Sequence, residues 1–84
     1  MQLQSNLNVN KLVDYLYGRE AQSDDTGAVA RWVRSMCPMR PALGDQSRWP
    51  DIAAMKSSAA IAGPNITSAQ IDTACAAAGV PTTG

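Results

Sequence analysis

Two thiols, Cys37 and Cys75, are the most reactive groups in an 84-residue chain that contains no histidine. Without histidine, and without metal-ligand spacing between the two cysteines, they do not form a zinc site. A nucleophilic Cys37 would need a neighbouring base or a depressed pKa. Arginines lie nearby in sequence, but no general base does. Cys75 falls on an apolar stripe and reads as core. A disulfide between the two is the alternative to two free, largely buried thiols. The carboxylates are scattered, and only Asp24 and Asp25 are adjacent. Consecutive helical residues point in different directions, so this pair suits a solvated helix start better than acid/base work. These readings point away from an enzyme, a cofactor, a metal or a small-molecule substrate.

What remains is binding chemistry. Between Arg31 and Lys56 five basic residues, Arg31, Arg34, Arg40, Arg48 and Lys56, face only Asp45 and Asp51, although the whole chain has net charge zero. Arg48-Trp49 stands at a helix start in a breaker-rich stretch, and Trp and Arg are enriched where binding energy concentrates. Met36, Met39 and Met55 add adaptable apolar surface, with Met39 set between two prolines. The expected contact surface is therefore Met39, Arg40, Leu43, Arg48 and Trp49, and the expected partner is another protein or a second copy of the chain.

These side chains must be positioned by helices. Val9, Leu12, Val13 and Leu16 recur at i, i+3, i+4, i+7, with Asn8 as cap and Gly18 as a left-handed stop. Val29, Trp32, Val33 and Met36 repeat the pattern after a Ser23 cap, with Asp24 and Asp25 in the first turn. Pro38 ends that helix near Met36. Residues 37 to 48 read as a Pro/Gly-containing loop, with room for a short hairpin within 38–49. Pro50 at a first helical position opens a third helix whose stripe is Ile52, Met55, Ala59 and Ala62, closed by Gly63-Pro64. Thr67 with Gln70 forms a capping box, and Ile66 with Ile71 a hydrophobic staple. Ile71, Ala74, Cys75 and Ala78 follow, then Gly79 as a left-handed stop with Val80 folded back across the helix end. The expected fold is all-α: one domain over 1–84, a small bundle of four short helices with a frayed tail at 81–84.

Two local resemblances carry further implications. The stretch from Ala21 to Arg34, with its small-residue helix start and Val29-Ala30-Arg31-Trp32-Val33, resembles the nucleophile helix of some cysteine peptidoglycan amidases. Val29 stands where the nucleophile would be, so the chemistry of that family is missing. Arg31-Trp32-Val33-Arg34, a Pro/Gly loop and Arg48-Trp49-Pro50-Asp51-Ile52 resemble excisionase-like or MerR-like winged-helix proteins. That resemblance implies a DNA-binding regulator, with Arg31 and Arg34 facing DNA and Arg40 and Arg48 in or beside the wing. Zero net charge and Asp24-Asp25 depart from its pattern.

The N-terminal residues lack a basic region followed by an apolar run, so no signal peptide is expected. No apolar stretch is long enough to span a bilayer. The expected setting is the cytoplasm, without membrane contact. The Ala-rich, histidine-free composition is in the style of small phage or mobile-element proteins: a virion component, an adaptor or an inhibitor of a host machine.

Overall fold

The computed structural model describes residues 3–41, 48–62 and 66–82. Four helices follow one another: α1 (Leu3–Leu16), α2 (Asp25–Met36), α3 (Ile52–Ala62) and α4 (Ser68–Ala78), with no strand among the described residues. The largest pairing sets α2 against α4, segments distant in sequence. α1 packs on both, and α3 makes a smaller contact with α1.

The stripes face inward as their spacing requires. Val9, Leu12, Val13 and Leu16 of α1, and Val29, Trp32 and Val33 of α2, are buried. So are Ile52, Met55 and Ala59 of α3, and Ile71, Ala74 and Cys75 of α4. Together with Ala30, Trp49 and Val80 they form one continuous core, onto which Met36, Ile66 and Ala78 pack from the edge. The side chain of Ala62 lies outside the described residues. Among the described residues, Trp32 Nε1 is buried with no acceptor. That costs roughly 1–3 kcal/mol, which the packing of the large indole has to outweigh.

The helix ends show where local grammar is obeyed and where it shifts. Gly18 (φ 92°) and Gly79 (φ 76°) both take the left-handed conformation that only glycine adopts without strain. Around Gly79 the Val80 N–H donates to the Cys75 carbonyl at 3.0 Å and the Gly79 N–H to that of Ala76 at 3.3 Å, a Schellman closure.

Three helix starts differ from expectation. α1 begins at Leu3, so Asn8 is an internal residue and not the cap. The propensity penalty of one asparagine, about 0.7 kcal/mol, does not stop a helix whose buried face continues. The cap of α2 is Asp24, not Ser23: its carboxylate accepts the Gly27 N–H at 3.0 Å, which leaves Asp25 alone in the first turn. At α3 the Asp51 carboxylate accepts the Ala54 N–H at 2.8 Å. Asp51 is thus the cap, and Pro50 lies one step outside the helix. The expected turn formers Gly44 and Asp45, the stop at Gly63-Pro64 and half of the possible hairpin region, residues 42–47, lie outside the described residues.

At α4 the capping box is complete. The Thr67 hydroxyl accepts the Gln70 N–H at 3.2 Å, and Gln70 Oε1 accepts the Thr67 N–H at 2.9 Å. Thr67→Ala removes half of this exchange. It is expected to cost about 1 kcal/mol, a fall in Tm of roughly 4–8 °C for a domain of this size, read by circular dichroism.

Candidate interaction surface

The arginines are the first group to place, because the sequence left them free to bind something. Arg31 is exposed, but its Nη1 donates to the carbonyls of Glu20 at 2.7 Å and Gln22 at 2.9 Å. Arg34 pairs with Glu20 at 3.3 Å while its guanidinium lies 4.3 Å above the Tyr17 ring. Arg19 stacks 3.8 Å over Tyr15 and donates to the same residue's carbonyl. The α1–α2 connection is therefore bound up by guanidiniums. Arg31, through Nη1, and Arg34 thus make contacts within the chain while remaining exposed.

Beyond α2 the chain leaves the helix at Cys37, whose N–H donates to the Val33 carbonyl at 2.7 Å. The Tyr17 hydroxyl, coming from the end of α1, donates to the Cys37 carbonyl. Three residues on, Arg40 Nε donates to Asp14 Oδ1 of α1 at 2.5 Å. This bond and the carboxylate's charge raise the guanidinium's pKa above its ordinary value. Pro38, Met39 and Arg40 are exposed between these two anchors, and Met39 is 82% exposed. The apolar knob is thus held on an irregular segment tied at both ends to one helix.

Trp49 occupies a different position from the one expected of a contact residue. It is only 5% exposed, with its ring centroid 5.4 Å from that of Trp32 and the planes tilted by 30°. The indole is a core element and presents no face to a partner. The physical reason is a long-range one: the ring packs on Trp32 of α2 and joins the same core as Ile52. Arg48 stays exposed, its guanidinium 5.8 Å from the centre of the Trp49 ring. Leu43 lies outside the described residues. Of the five expected contact residues, the structure brings Met39 and Arg40 together on one tied segment, keeps Arg48 at the surface and takes Trp49 into the core.

Both thiols are free. Burial raises the pKa of Cys37, and the positive charge of Arg48 offsets this only in part. Burial pushes Cys75 up to about 11, with Lys56 opposing and Asp72 reinforcing. Neither cysteine is activated as a thiolate nucleophile. Among the described residues no group of three or more His, Cys, Asp or Glu side chains is placed to hold a metal ion. No helix there is long and apolar enough to cross a membrane.

Comparison of the chain with protein families, curated proteins and solved structures finds no match. The sequence pattern missed one exposed apolar residue. Ile61, near the end of α3, is 85% exposed, and it stands off the Ile52, Met55, Ala59 stripe.

Proposed function

We propose that this chain is a non-catalytic protein–protein interaction or assembly module, and that the tied segment from Cys37 to Pro41 is its contact element. The observation that carries this reading is a large apolar side chain, Met39, standing in solvent on backbone held by Tyr17 and by the Arg40–Asp14 pair. Ordering a loop on binding costs free energy, and ties at Cys37 and Arg40 lower that cost. Methionine is polarizable and unbranched, so it fits an apolar pocket of approximate shape. Arg48, exposed and close enough to Cys37 for its charge to act there, supplies positive charge beside the segment, which favours a partner surface with an acidic edge.

Met39→Asp tests the reading. The side chain is 82% exposed, so Tm is expected to stay within about 4 °C of the parent, since surface changes of this kind stay near ±0.5 kcal/mol. Capture of a binding protein by the immobilised chain is expected to weaken at least tenfold, about 1.4 kcal/mol or more. Undiminished capture by the variant would refute the proposal.

A further inference from the structure

We propose that Met39 is a reversible oxidation site: a hydroperoxide converts its thioether to the sulfoxide and thereby switches the contact element off. This rests on the contact reading above and supplies its regulation. Exposure sorts the methionines. Met39 stands in solvent, Met36 packs half-buried against the core and Met55 is fully buried. Met1 lies outside the described residues. An oxidant must reach the sulfur, so Met39 reacts first of the three. The sulfur lone pair attacks one peroxide oxygen and the O–O bond breaks. That oxygen stays on sulfur, and its proton passes to the departing oxygen, which leaves as water or an alcohol. Sulfur gives up two electrons and the peroxide takes them.

Position decides the consequence. The segment is tied by the Tyr17 hydroxyl at Cys37 and by the Arg40–Asp14 pair, and neither tie uses a thioether. An oxygen added to Met39 leaves both in place. The same oxygen on Met55 would be an unpaired polar atom in the core. Of these three methionines, the one open to an oxidant is thus the one whose oxidation spares the fold. For the contact the change is large. An apolar side chain becomes a polar one, and a partner's apolar pocket offers its oxygen no donor. The reverse step takes two thiols of a sulfoxide reductase: they pass two electrons to the sulfoxide, become a disulfide and release the oxygen as water. Pro38, Met39 and Arg40 lie exposed outside any helix, so the side chain is presented where such an enzyme can reach it.

Hydrogen peroxide at about pH 5 isolates this chemistry, because both thiols hold their protons there while a thioether has none to lose. Peptide mass mapping over time is expected to show one added oxygen on Met39 about tenfold or more faster than on Met55, with Met36 between. In guanidinium the three rates are expected to converge. Returned to neutral pH, the chain oxidised at Met39 is expected to melt within about 4 °C of the parent. Its capture of the binding protein is expected to fall about tenfold and to recover after a sulfoxide reductase with a dithiol. Met39→Leu, which keeps an apolar side chain, is expected to capture equally well before and after peroxide. Equal oxidation rates at Met39 and Met55 in the folded chain would overturn the proposal, as would a melting curve lowered beyond that range or a Met39→Leu chain disabled by peroxide. Met39→Asp separates the two claims. Weak capture by Met39→Asp beside full capture by the sulfoxide overturns the switch alone. Undiminished capture by Met39→Asp overturns the contact reading, and the switch with it.

Discussion

Trp49→Ala is expected to abolish cooperative folding, or nearly so, and not merely to weaken partner capture. The indole is 5% exposed and packed against Trp32. Truncating a buried aromatic to alanine costs about 3–5 kcal/mol through lost transfer energy and the cavity left behind. Losing the aromatic pair forfeits roughly 0.5–1.5 kcal/mol of favourable geometry within that cost. A domain of this size has a total stability on the order of 5 kcal/mol. The loss therefore consumes most of it, and the far-ultraviolet melt of the variant is expected to be broad, shallow or absent at 25 °C. Trp49→Phe keeps much of the volume and is expected to fold with a lowered Tm. A Trp49→Ala variant with a near-parent Tm would show that the indole lies at the surface.

Gly27→Ala is the second change expected to be severe, and its sign opposes intrinsic propensity. In an open helix, alanine for glycine stabilises by about 1 kcal/mol. Here the added Cβ would meet the Gln22 carbonyl oxygen at 1.9 Å and its carbon at 2.5 Å, both backbone atoms. That carbonyl also receives Arg31, and Gln22 N–H donates to the Arg19 carbonyl at 3.2 Å, so the turn cannot yield cheaply. Overpacking of this kind costs about 3 kcal/mol, and the clash outweighs the propensity gain. Chemical denaturation is expected to show the midpoint falling with little change in slope. Arg31→Ala added to Gly27→Ala is expected to cost less than Arg31→Ala alone, since the displaced turn has already given up that contact. A Gly27→Ala protein as stable as the parent would mean that the turn does not press on the helix.

The contrast between these residues shows what was legible beforehand. Helical spacing placed Val9, Leu12, Leu16, Val29, Val33 and Ile71 in the core because apolar periodicity is a local property and burial follows it directly. Thr67, Gln70, Gly18 and Gly79 were legible for the same reason: each acts on backbone within four residues of itself. Trp49 was not, because the stretch before it has no periodicity and nothing local says which way an indole turns at a helix entrance. Nor were the arginines. The carbonyls that occupy Arg31 belong to Glu20 and Gln22, eleven and nine positions away across a turn. Counted along the chain, the same guanidiniums make a basic patch. Ile61 was passed over because a stripe argument looks for the face that goes inward, and Ile61 belongs to the other one.

The turn joining α1 to α2 combines backbone bonds with guanidinium-to-carbonyl bonds from Arg19 and Arg31. Arginine keeps its proton across the whole range in which proteins survive, and an amide oxygen does not titrate. Acidification therefore removes neither partner of those three bonds, whereas the Arg34–Glu20 pair and the Asp24 cap at the same corner each rest on a carboxylate.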